Sequence, residues 1–178
     1  QQVSSAASDV YKRQILMTLL SFVPAFVIMC TSFTRIVIVL AILRQALGLQ
    51  QTPPNQVLVG IALIFTLLIM RPVWTKIYDT AYIPYSNDEV TLMEALATAE
   101  KPLRRYMLDQ TQRKALEQVS KIAGEASIES DQDIPFLVLL PAYLLSELKA
   151  AFQIGFMLFL PFLVILSLIH ISEPTRHT

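Results

Sequence analysis

The feature that most constrains this chain is the length of its charge-free stretches. From Ile15 to Thr34 the sequence runs 20 residues without a charge, and after Arg35 an apolar run resumes at 36–43 (IVIVLAIL). About 20 such residues cross the hydrocarbon core of a bilayer as a helix. A second uncharged stretch covers 45–70, with its apolar part at 57–70. That part reaches roughly 21 Å at helical rise, short of a core of about 30 Å. It is expected to continue through Pro72, Val73 and Trp74, with Arg71 snorkelling to the interface. A third hydrophobic region begins at Ile134, is interrupted by Glu147 and Lys149, and then runs uncharged over 150–171. Pro141 and Pro161 lie inside it, which neighbouring helices can accommodate. A chain of 178 residues has too little polar sequence to bury three such regions in a soluble core. The expected fold is an all-α, polytopic membrane protein.

The charges are concentrated elsewhere. Of 14 Lys+Arg and 14 Asp+Glu, 18 fall between Lys76 and Asp133, as 7 basic and 11 acidic residues. A formal net charge of zero supplies no basic field for nucleic acid. One cysteine excludes an intrachain disulfide framework and a multi-cysteine metal site. Arg35 and Arg44 lie near the tip of the first two hydrophobic segments, whereas 76–133 is net acidic. The positive-inside rule therefore favours a cytoplasmic tip and an extracytoplasmic 76–133.

Segment by segment, 15–75 reads as a hydrophobic helical hairpin with its turn at 48–56. Gly48 can stop the first helix, and Pro53-Pro54 forbids a continuous one. Trp74, Tyr78, Tyr82 and Tyr85 cluster where the chain would leave the membrane, as an interfacial belt or as packing in the polar segment. Residues 76–133 read as a small helical insert. Within it, 79–87 (DTAYIPYSN) is expected to be a loop, and Thr91 with Glu94 has the spacing of a capping box opening a short helix to about Glu100. Pro102 suits the first turn of a second helix running to Ala123 and stopping at Gly124. The acidic tract 125–133 is expected to return to the membrane as a solvated loop. The third hydrophobic region is 134–165.

Several residues stand out, each with a plain structural alternative. Arg35 sits inside a hydrophobic segment and is a functional-site candidate by that fact alone; its alternative is one half of a structural ion pair, with Glu147 the leading partner. Glu147 and Lys149 must face protein, water or each other. Being two apart they do not share a helical face, so each is expected to pair with another helix or subunit. Gln153 and Gly155 are expected to serve close helix packing. Pro53, Pro54 and Asn55, with Arg44, are expected to shape the tip, with partner contact as a second role; Pro141 is a tolerated helix proline. Cys30, Met17, Met29 and Met70 read as ordinary helix residues. No HExxH, GxSxG or phosphate-binding glycine loop occurs, so neither a catalytic constellation nor a metal or other cofactor is expected.

Two long motifs go further. The first runs TSFTRIVIVLAILRQALG from Thr31 and continues QQTPPNQVL from Gln50; the second is PAYLLSELKAAFQIGF from Pro141. Together, over about 15–165, they closely resemble the FliP family of the bacterial flagellar type III export apparatus. The polar insert fits the flagellar branch better than the virulence-type secretion relatives. The resemblance implies a non-enzymatic export-gate subunit. By that resemblance, copies of it are expected to assemble with one another and with FliQ- and FliR-like partners around a conduit in the bacterial inner membrane. Unfolded flagellar proteins pass through that conduit, driven by the proton-motive force and an associated ATPase. Family chains would continue past Ile165 with an acidic residue, where this chain has Leu166. Residues 1–14 and 166–178 depart from the pattern and read as non-native, adapter-like sequence. His170 and His177 are given no role on that account. Two rival classes remain: a membrane sensor using 76–133 as a ligand domain, and an intramembrane enzyme built on Arg35, Glu147 and Lys149. The first lacks an output module and the second a nucleophile.

Overall fold

The computed structural model describes residues 2–125, 130–131 and 134–172. Most of the tract 125–133, and His177, lie outside them. Among the described residues the regular structure is entirely helical. Helix α1 (Gln2–Met29) has no buried residue and reaches the rest of the chain through its end, where Phe26 packs on Phe136 with ring centroids 5.5 Å apart. The helix therefore takes in residues 2–14.

The long uncharged stretch does not continue as one helix. It breaks at 30–32, where Cys30, Thr31 and Ser32 are all buried, and restarts as α2 (Phe33–Ala46). No glycine or proline causes this elbow. Tyr143 Oη donates to the Thr31 carbonyl at 2.6 Å, satisfying a backbone acceptor that the break leaves out of the ladder. Gly48, at φ +75°, ends α2 in the left-handed region that a Cβ disfavours. After the tip, α3 (Asn55–Ile69) runs back alongside α2.

At the fully buried Met70 the chain bends by 61° into Arg71–Ser86. This stretch comprises α4 (Arg71–Ile77), a π-helical turn (Tyr78–Tyr82) and α5 (Ile83–Ser86). It replaces the loop expected over 79–87. Pro84 falls at the start of α5, where its missing N–H is no loss. Thr91 caps α6 (Leu92–Gln110), its hydroxyl accepting from the Glu94 N–H. Pro102 lies inside α6 rather than opening a second helix. The break falls instead at Thr111–Gln112, where the Gln112 N–H donates to Ser146 Oγ at 2.9 Å. Helix α7 (Arg113–Ala123) ends at Gly124, φ +73°. Helix α8 (Phe136–Ser172) is a single helix through both Pro141 and Pro161.

Helix α8 is the spine. Helix α2 packs along it, and α6 and α7 cover its first half. The core gathers Met107, Leu116 and Val119 of the insert with Val138, Leu139 and Tyr143 of α8, and with Cys30 at the elbow. Full burial of Met107 alone contributes about 1.5–3 kcal/mol. Helices α1 and α8 are each long and apolar enough to cross a membrane, and the bent α3–α5 stretch makes a third if it is one span. This is the make-up of an all-α, polytopic membrane protein. Helix α2 by itself, at about 21 Å, is shorter than the hydrocarbon core.

Candidate functional site

The elbow puts Arg35 in the first turn of α2, facing α8. Its Nη2 donates to Glu147 Oε1 and, at 3.3 Å, to Gln110 Oε1 of α6. Glu147 is fully buried, while the Arg35 side chain keeps 27% exposure. One guanidinium thus ties three helices that lie 75 and 112 residues apart in sequence. An ion pair at such a place is costly to desolvate but far costlier to leave half-made. Among the described residues, Glu147 Oε2 and Arg35 Nε have no hydrogen-bond partner.

Around this pair stands a polar shell that no motif reading singled out. Tyr143, one turn before Glu147 on the same face, is fully buried. Its ring meets that of Tyr106 edge-on at 6.3 Å. Burial, and after it the charge of Glu147, push the Tyr106 phenol above its usual range. The phenol therefore stays neutral. The i, i+3 and i+4 placement of Tyr143, Ser146 and Glu147 is the one sequence signal that could have marked them as neighbours.

Glu147 and Lys149 do separate, as their spacing requires. Lys149 Nζ donates to Gln112 Oε1 at 3.3 Å. The α6–α7 turn is thereby held by Ser146 and Lys149 of α8, while Gln110 binds Arg35 of α2. At the tip, Arg44 Nη1 donates to the Pro53 carbonyl at 3.1 Å and to Asn55 Oδ1 at 2.7 Å. Pro54 is the extended residue before α3, and the Thr52–Pro53 peptide bond is cis. Three of the sequence candidates, Arg44, Pro53 and Asn55, thus form one latch across the turn, with Pro54 between them.

Gly155 and Gln153 part company. A Cβ on Gly155 would fall 2.5 Å from Ile42 Cδ1 and 3.1 Å from Ile42 Cβ, so glycine sets the closeness of α2 to α8 here. Gln153 is exposed and lines a shallow hollow with Ile42, Gln45, Phe152, Phe156 and Phe159. Pro141 is on the open side of α8. Tyr78 and Tyr82 are exposed and stacked at 5.3 Å, and Tyr85 is exposed beside them. No group of three His, Cys, Asp or Glu able to hold a metal occurs among the described residues. What the arrangement can do is fix helices against one another around a buried charge.

Comparison with known proteins points one way. The FliP family model matches residues 16–171. The flagellar biosynthetic protein FliP of Buchnera aphidicola from Acyrthosiphon pisum is 48% identical over 151 residues, 85% of this chain and 40% of the relative. That of Pectobacterium carotovorum is 47% identical over 151 residues, 85% of this chain and 58% of its own length. The Bacillus subtilis protein is 44% identical over 158 residues, 89% and 72% respectively. The chain spans less than two thirds of the first two relatives.

Proposed function

The chain belongs to the FliP family, and we propose that it is a structural subunit of the flagellar type III protein export gate. A membrane-associated flagellar protein follows from the family and from the long apolar helices. The finer reading is a multi-pass protein of the bacterial inner membrane, with the hairpin tip cytoplasmic and 76–133 extracytoplasmic. It forms, with further copies of itself and FliQ- and FliR-like partners, the conduit for unfolded flagellar proteins. The observation that carries this reading is the extent of the FliP match, 16–171, which takes in both the buried Arg35–Glu147 joint and the hairpin tip.

The apolar surface supports assembly. Phe152, Phe156 and Met157 of α8 are exposed in the single chain. A patch of that extent calls for lipid or protein cover. The polar groups serve to hold helices at set distances, and no step of bond chemistry is assigned to them. The test grafts residues 16–171 into the corresponding part of the Bacillus subtilis relative and follows flagellin export, together with co-purification of FliQ- and FliR-like subunits. Restored export with co-purification supports the reading. A graft that folds and enters the membrane yet recovers neither partner refutes it.

A further inference from the structure

The corner where α3 gives way to α4 carries a feature the export reading does not use. A hollow there is lined by Leu68 from α3 and by Arg71, Pro72, Thr75, Lys76 and Asp79 from α4 and the π-helical turn. Directly before it, Leu67 and Leu68 are 61% and 62% exposed and Ile69 is 50% exposed. An open apolar helix face therefore ends abruptly in two cations, at the point where the chain bends by 61°. Among the described residues neither Arg71 nor Lys76 makes a side-chain hydrogen bond or ion pair. The other polar group with a role nearby, the Thr80 hydroxyl, is spent on the Lys76 carbonyl at 2.6 Å. Asp79 offsets one of the two positive charges, leaving the hollow net positive.

We propose that this corner seats the phosphate headgroup of an anionic phospholipid, with its acyl chains along the exposed face of α3. Three properties point to a lipid rather than to a free oxyanion. The hollow adjoins the exposed apolar residues of α3, its lining includes Leu68 and Pro72, and the cations lie at the end of an apolar helix, where snorkelling side chains meet headgroups. Net positive charge at that depth selects phosphatidylglycerol over zwitterionic phosphatidylcholine by about fivefold per cation. The bend follows the same logic. Helix α3 meets acyl chains, and α4 with the stacked Tyr78 and Tyr82 runs on at the level where aromatic side chains settle.

The chain supplies its own reporter. Trp74 is its one tryptophan; it lies half-buried in α4, between Arg71 and Lys76 in sequence, on the same short helix as the hollow though not in its lining. The full chain is reconstituted in bilayers of phosphatidylcholine with a minority of phosphatidylglycerol, and brominated acyl chains are placed on one lipid or the other. Quenching of Trp74 per mole of brominated phosphatidylglycerol is expected to exceed that per mole of brominated phosphatidylcholine severalfold. Arg71→Gln and Lys76→Gln should each reduce the excess by about fivefold, while Arg71→Lys retains it and Lys101→Gln, at an exposed site in α6, leaves it unchanged. Equal quenching by both lipids overturns the proposal, as does an excess that survives Arg71→Gln with Lys76→Gln. Loss of the excess to inorganic phosphate, beyond sodium chloride at matched ionic strength, also overturns it in favour of a free oxyanion site. Absence of quenching by either lipid refutes the placement of α3 in the membrane, a different failure from that of headgroup selection.

Discussion

The two ends of α8 belong to one helix and lie in opposite environments. Over 136–155 it buries Val138, Leu139, Ala142, Tyr143, Ser146, Glu147, Ala151 and Gly155, a face repeating at three and four residues. Over 156–172 it buries nothing. The first half carries Glu147, Lys149 and Gln153 and the second no charge, but the halves differ in side-chain size as well. Ala142, Ser146, Ala150, Ala151 and Gly155 let α2, α6 and α7 approach the first half. The second is a run of Phe, Leu, Ile, Val and Met that keeps other backbones away. In this protein small residues, rather than apolar ones, mark where a helix is held.

The largest expected effect breaks the packed half at its charge. Glu147→Ala should cost about 3–5 kcal/mol, because it strands Arg35, read as thermal unfolding in detergent. Arg35→Met combined with Glu147→Leu should lose far less, and a double variant no better than the single one would refute the pair as the joint. Next comes Gly155→Ala, expected to cost about 1–3 kcal/mol through overpacking against Ile42. Adding Ile42→Ala should return part of that loss in the same unfolding assay, and an unchanged midpoint for Gly155→Ala would mean α2 can move away freely. Smaller again, Asn55→Ala removes one acceptor of the Arg44 latch and should cost about 0.5–1.5 kcal/mol, with amide exchange rising first over the 48–54 turn. The smallest effect sharpens the contrast. Met157→Gln, in the open half, should shift unfolding by less than about 0.5 kcal/mol yet lower recovery of the chain in complexes with FliQ- and FliR-like subunits. A loss of stability as large as that of Gly155→Ala would place Met157 in a packed interface instead.

Local chemistry was legible in the sequence wherever a residue settles its own conformation. Gly48 and Gly124 end helices, Thr91 caps one, and Pro53-Pro54 breaks the hairpin, each by a property of the backbone at that position. The Arg35–Glu147 juxtaposition was legible for a different reason, since a charge in an apolar segment demands a partner and few were on offer. Distant contacts were not legible. The elbow at 30–32 has no breaker residue and depends on Tyr143, 112 positions away. The end of α6 at Thr111 rather than at Pro102 goes with the bond from Gln112 to Ser146. Residues 79–87 look like a loop by composition, yet they carry helix on from α4, which packs with the π-helical turn against α6. Tyr106 and Gln110 entered the polar joint without any motif, because tertiary packing alone brings α6 to Arg35.

Because α8 is one continuous helix gripped on one side of Gly155 and free on the other, it has the mechanics of a cantilever. The free length over 156–172 is about 25 Å, so a tilt of about 5° at the grip carries the far end through about 2 Å. Pro161 is the compliant joint of that beam: its ring nitrogen gives no hydrogen bond to the Met157 carbonyl, and deflection beyond it is partly absorbed. By this geometry a tilt of the packed half is enlarged, and partly damped, along a surface that begins nine residues beyond Glu147.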